Sequence, residues 1–500
     1  MTSLATFVLS QIMAVTLCTV PVAVVLPDEN ALLQEIGEIF VEAIREPFGK
    51  DAPEAVRDAV LKFNERLQAY GDASAAWIVK SCELTDAQQL KLKEIVDGQL
   101  VPATAQFARS KDANDQDQMV PDTMPLLFTL PNGPGTDFTE QLIAAIRKDL
   151  LTEEQVQRLE TALGEREAFR NKAYLSYIVA IVDSELFLTS SQREALHSEL
   201  TSQKTTLYHP RYAFSPQPHY MPYESVLTIL KAFEGKSFLD PSQQKRLEDL
   251  NGKQQKNHRL MIPSASGPEE WTRQISDAGQ QQRDIFLRTA AVRNSYYENE
   301  LQLSAEQVDH LRLAGKGAAA AALADWKEKA QQTTDRMKQQ LGQLAGNAEF
   351  FSVALIDPNF LDQNEIWADA VASVTEGFTK EGLNQRQESH RTATAQALLA
   401  AYDSELWLAP DQRRPLGKMI LQTLPTDSNQ SAFSIHIRDL ILLTYSLFKT
   451  TEKQRADVIS ESQQSVWKQM ASCFHWQQQN NQVVIPLGNQ GGSFNFTLTE

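Results

Sequence analysis

The stretch Leu188-Thr189-Ser190-Ser191-Gln192, followed by Leu196 and Leu200, writes the start of a helix into the chain. A Thr at the N-cap offers its hydroxyl to the backbone N–H three residues on, and a Gln at that third position reaches back to the N-cap N–H. Two donors that every helix N-terminus leaves unpaired are thereby satisfied reciprocally. The pattern recurs with Thr85 and Gln88, with Thr152 and Gln155, and with Ser304 and Gln307, each preceded by a Leu and followed by Leu92, Leu159 or Leu311. Weaker copies run from Leu239 to Gln243 and from Leu408 to Gln412, both with Pro where the first helical residue falls, a position that tolerates it. Ala409 has no side-chain acceptor, and Pro415 predicts a break in any helix begun at Pro410, so that helix is expected to start later. Thr451 to Gln454, followed by Val458, is a further copy without the leading Leu.

Upstream of the joint, Tyr174, Tyr177, Ile178 and Ile181 recur three and four apart and predict the end of a preceding helix. Leu186 and Leu188, Leu301 and Leu303, and Leu406 and Leu408 bracket the joints, one Leu closing the first helix and the other stapling the second. The phrase DSELFLTSSQ is echoed by ENELQLSAEQ and DSELWLAPDQ at separations too uneven for a short-period solenoid. The expected fold is mostly α: repeated antiparallel helical hairpins with a short C-terminal β-hairpin. That last element is read from VVIPLGNQGGSFNFTL, two short apolar or alternating runs around a Gly-rich turn.

Breaks rich in Pro and Gly divide the chain, and the one at Met261 to Trp271 is the preferred boundary. The resulting organisation is a signal peptide or membrane anchor at 1–27, a helical-hairpin region at 28–262, a second at 270–480, and the β-hairpin at 481–500. The first segment carries no charged side chain, which suits export as a cleaved signal or an uncleaved anchor. The expected location is therefore periplasmic or extracellular, with membrane attachment only through that segment.

With 42% hydrophobic and 22% charged residues, the chain has enough apolar side chains to fold as a globular protein. Its 64 acidic against 47 basic residues, a formal charge of −17, repel nucleic-acid phosphates, and no basic patch offsets them. Beyond the N-terminal segment only Cys82 and Cys473 remain, without CxxC spacing. Two buried thiols are the favoured reading and one disulfide the alternative.

No catalytic constellation emerges: the nucleophile elbow, the His-Glu-x-x-His helix and the dinucleotide fingerprint are all missing, and no cofactor is expected. Low-ranking metal candidates are His209 and His219 in a loop rich in Tyr and Pro, and the acidic pairs Asp183 with Glu185, Glu298 with Glu300, and Asp403 with Glu405. A structural role at the joints accounts for the acidic pairs, because a carboxylate just ahead of a helix favours its N-terminus.

The Leu-Thr-x-x-Gln pattern resembles the signature of the small extracytoplasmic helical proteins of the Spy and CpxP chaperone family. It also resembles exported bacterial proteins that carry Glu-Leu-x-Leu-Thr-x-x-Gln. The resemblance implies an all-helical hairpin fold, protection of unfolded clients in the cell envelope and, in related sensors, metal binding. The functional expectation is a non-catalytic binding, scaffolding or chaperone-like protein with protein clients or an envelope partner. The alternatives are an extracytoplasmic metal or ligand sensor and, third, an enzyme whose site is assembled between hairpins.

Overall fold

The computed structural model describes residues 54–113, 134–202, 237–251, 259–263, 266–341, 350–354, 360–361, 364–376, 380–424, 445–472, 475–477, 482–486 and 493–497. The chain divides after Val60, and Leu61–Glu500 form one compact unit. The N-terminal apolar segment, His209, His219 and Cys473 lie outside the described residues. No helix among the described residues is long and apolar enough to cross a membrane.

The helices come in pairs around the capping boxes. In order they are α1 (Glu54–Cys82), α2 (Asp86–Ala113), α3 (Pro134–Asp149), α4 (Glu153–Leu186), α5 (Ser190–Ser202) and α6 (Pro241–Asn251). After β1 (Arg259–Pro263) come α7 (Pro268–Leu301), α8 (Ala305–Leu341), β2 (Phe350–Ala354), α9 (Glu365–Thr375), α10 (Lys380–Leu406) and α11 (Pro410–Thr423). The chain closes with α12 (Glu452–Ala456), α13 (Glu461–Ser472), β3 (His475–Gln477), β4 (Gln482–Pro486) and β5 (Ser493–Thr497).

Except at Ala409, which has no side-chain acceptor, each box closes in both directions. The Thr189 N–H donates to Gln192 Oε1 at 2.8 Å and the Gln192 N–H to Thr189 Oγ1 at 3.3 Å. The same pair of bonds forms at Thr85, Thr152, Ser304 and Thr451, and at Asp240 with Oδ1 as acceptor. Before four of the boxes a non-glycine residue takes the left-handed conformation that ends the preceding helix: Glu83, Phe187, Gln302 and Trp407, with φ between 48° and 53°. The turn reverses the chain so tightly that each is followed by a single Leu and then the next N-cap.

Three expectations need correction. The C-terminal strands are not a two-stranded hairpin confined to 481–500: β3, β4 and β5 form a three-stranded antiparallel sheet that starts at His475. A strand of three residues is too short to display period-two alternation, so β3 left no pattern to read. A second, unexpected ladder pairs β1 with β2, Met261 opposite Ser352, so part of the Met261–Trp271 break is strand. Finally, α11 starts at Pro410 and runs through Pro415 to Thr423. Pro415, the sixth residue of α11, forfeits one helical bond, that to the Asp411 carbonyl, while buried Leu416 and Ile420 hold the later turns in the core.

The largest core forms between α4 and α10, which cross antiparallel: Tyr174 to Ile181 and Ala395 to Tyr402 interdigitate with Leu186, Leu188, Leu406 and Leu408. Two smaller cores lie around Phe286, Leu311 and Trp367, and around Trp271, Trp326 and Ile262.

Candidate functional site

One constant offset superimposes the joint after α4 on the joint after α10. It carries Arg166 to Arg386, Asp183 to Asp403, Glu185 to Glu405, Phe187 to Trp407, Gln192 to Gln412, Arg193 to Arg413 and Gln243 to Gln463. Because α4 and α10 are antiparallel, each joint Asp reaches the arginines of the opposite helix. Asp403, fully buried, meets Arg166 Nε at 2.9 Å and Arg413 Nε at 3.3 Å. Arg166 also stacks over Trp407 at 3.9 Å and donates to the Asp403 and Ser404 carbonyls. Burial lowers the Arg166 guanidinium to about 10, while the attraction of Asp403 opposes that shift and keeps it charged at neutral pH.

Asp183, equally buried, meets Arg386 Nε at 3.1 Å, His390 Nε2 at 2.5 Å and Arg193 Nη1 at 3.5 Å, and its Oδ1 accepts the Leu188 N–H at 2.6 Å. Burial alone would raise this carboxyl, but the surrounding Arg386, His390 and Arg193 outweigh it and hold it at about 2. His390 is pushed the other way: burial, aided by the charges of Arg386 and Arg193, lowers the imidazole below its ordinary value despite the Asp183 bond. Phe187 lies between two guanidinium groups, Arg386 at 4.0 Å and Arg293 at 4.5 Å.

Beside this cluster α4, α5 and α10 frame an open cleft of about 1160 Å³. Val179 and Ala180 of α4, Arg193, Glu194 and His197 of α5, and Ser389, His390 and Ala393 of α10 are among its walls. Polar groups and a short apolar strip thus share one surface.

The acidic pairs separate in space. Asp183 and Asp403 belong to the two arginine clusters. Glu185 pairs with buried Arg246 at 2.7 Å, and Glu405 is fully buried. Glu300 caps a different helix, accepting from the Ser190 N–H at 3.0 Å and the Ser190 hydroxyl at 2.5 Å, whereas Glu298 is exposed. Among the described residues no group of three or more His, Cys, Asp and Glu side chains could hold a metal ion. Cys82 is a buried free thiol, raised to about 11 by that burial.

The sequence reading missed Arg166, Arg386, His390, Arg193, His197 and Ser389. Arg193 and Arg413 were visible as the residue after the motif Gln in two copies of the phrase. Also missed was an eighth box, in which the Ser460 N–H donates to Gln463 Oε1 at 2.8 Å. The motif glutamines do more than cap, because they join in pairs across neighbouring joints: Gln88 with Gln155, Gln192 with Gln243, and Gln412 with Gln463. Compared with protein-family models, curated proteins and solved structures, the chain matches none.

Proposed function

We propose that this chain is a non-catalytic binding and scaffolding protein, acting outside the cytoplasm, whose cleft between α4, α5 and α10 receives a segment of another protein. The observation that carries this reading is the contrast between frame and cleft. The helices around it are tied by capping boxes, paired glutamines and buried arginine–carboxylate clusters, yet an opening of about 1160 Å³ interrupts them. A rigid frame lowers the ordering cost of binding, and a groove between helices with an apolar strip and polar edges suits a peptide or helix laid along it. The formal charge of −17 disfavours nucleic acid as the occupant. The apolar N-terminal segment fits delivery to the cell envelope, where unfolded clients or an envelope partner would be met.

The test is a titration of a dye-labelled unfolded protein, β-casein, with the purified chain, followed by fluorescence anisotropy. Saturable binding is expected, together with slower aggregation of a heat-labile client. A flat titration and unchanged aggregation would overturn the reading.

A further inference from the structure

The two joints act as an internal comparison. At the Asp403 joint the Phe169 ring lies 4.5 Å from the Arg413 guanidinium of α11 and packs on the core. There Leu399 comes so near α11 that a Cβ built on Gly417 would stand 3.0 Å from its Cδ2. At the Asp183 joint the same offset places Ser389 for Phe169, Val179 for Leu399, His197 for Gly417 and His390 for Arg170. All four replacements line the cleft. In the twin a half-buried Phe ring and a close Leu399–Gly417 approach stand where the cleft opens here, so the four replacements coincide with the opening.

We infer that the cleft is a recognition site for an N–H donor, a backbone amide or a lysine ammonium of a protein segment, accepted by Nδ1 of His390. This deepens the segment-binding reading and rests on it. Asp183 is ionised and can only accept, so the 2.5 Å approach of His390 Nε2 places the imidazole proton on that nitrogen. Burial opposes a second proton on the ring, and the charges of Arg386 and Arg193 act in the same direction. Nδ1 therefore keeps its lone pair, on a side chain 18% exposed at the cleft wall.

The rest of the lining is rich in acceptors. The Ser389 and Ser176 hydroxyls donate to the Gln385 and Lys172 carbonyls, at 2.7 and 3.1 Å, which leaves their oxygens as acceptors for a ligand. Glu194 adds a carboxylate, and Glu388, paired with Arg391 at 2.9 Å, also lines the cleft. The Arg193 Nη groups are already engaged, with the Leu188 carbonyl, Ser190 Oγ and Asp183. In the twin, Arg170 is a pure donor and has no lone pair to offer.

The experiment uses the full chain with native and lysine-acetylated β-casein as probes, read by fluorescence anisotropy. The variants are Ser389→Phe and His390→Arg, each copying the residue of the twin, with circular dichroism to confirm the fold. At least tenfold weaker binding is expected for both. Equal binding to the two probes assigns the donor to backbone amides, whereas loss on acetylation assigns it to lysine; either result supports the inference. Should His390→Arg melt, Ser389→Phe decides alone, because position 389 is exposed and accepts the ring without displacing the core. Wild-type binding that both folded variants retain overturns this inference and leaves the segment-binding reading standing. Absence of wild-type binding overturns both.

Discussion

Gln192 and Gln243 hold each other by two hydrogen bonds, Gln192 Nε2 to Gln243 Oε1 at 2.8 Å and Gln243 Nε2 to Gln192 Oε1 at 3.0 Å. Each amide also caps its own helix and donates to a carbonyl of the facing joint, Phe238 for Gln192 and Leu186 for Gln243. One side chain type at one motif position thus starts a helix and fastens that start to the next joint. This accounts for Gln at the six paired boxes, where a lone N-terminus would accept Glu as well, while Gln307 and Gln454 serve as caps. A carboxylate could cap but could not donate to the partner.

The first prediction concerns that donor. Gln243→Ala removes one amide of a buried pair, takes one hydrogen bond from each end of the Gln192 amide and deprives the Leu186 carbonyl of its Gln243 donor, so a loss of about 2–3 kcal/mol is expected. Gln243→Glu retains the cap yet forfeits the donor, and is expected to cost nearly as much. In urea denaturation the double variant Gln192→Ala with Gln243→Ala should cost less than the sum of the single changes. Strict additivity would mean that the pair does not act as a unit.

A second prediction separates buried from exposed charge. Asp403→Ala strands the Arg166 and Arg413 guanidinium groups beside Trp407 and Phe169 and is expected to cost about 3–5 kcal/mol. Asp411→Ala breaks an exposed bridge to Lys80, 2.9 Å long, and should cost at most about 1 kcal/mol. Urea midpoints of the two variants, compared at unchanged m-value, check the contrast.

The third prediction is a pH dependence. The folded-state value of Asp183, about 2, lies below its ordinary 3.8, so its contribution is complete above the ordinary value and is lost as pH falls through both. His390 is also lowered from 6.5, so between the unfolded and folded values the unfolded chain binds the extra proton, and stability again falls with falling pH. Both groups act in the same direction. The melting temperature should decline below about pH 6.5 and more steeply below about pH 4. Asp183→Asn, read in the same thermal melts, should flatten the lower part of the curve.

The helical pairing was legible because it depends on local chemistry: a capping box and a Leu four residues beyond its Gln specify where a helix begins and which face it buries. The cleft was not, because its residues lie on three helices whose contact is set by tertiary packing. Arg386 and His390 meet Asp183 from far along the chain, and neither sits in a motif. The offset that relates Asp183 to Asp403 is present in the bare sequence. It was obscured by reading the Glu298 phrase as a copy of the same rank, although the residue facing Ser190 there is Glu300, and Glu298 itself is exposed rather than buried among arginines. The strands were hardest to read, since β3 has three residues and β2 finds its partner in β1 across α7 and α8.

The last prediction uses the twin as a design template. At the Asp183 joint Thr189 caps α5 with its hydroxyl, while at the matching position Ala409 leaves α11 with only half a box: the Ala409 N–H donates to Gln412 Oε1 at 2.8 Å, but no side-chain oxygen receives the Gln412 N–H. Both positions are buried to a similar degree, and Ala409 takes extended backbone angles suited to an N-cap, so a hydroxyl there would be directed at the Gln412 N–H, which now meets the Ala409 carbonyl at 3.0 Å. Ala409→Thr is therefore expected to stabilise the chain by about 1 kcal/mol, and Ala409→Ser by nearly as much. Ala409→Val adds the same bulk without an acceptor and should bring no gain. If Val raised the urea midpoint as far as Thr did, the effect would be one of packing and the half-finished box would carry no energetic penalty.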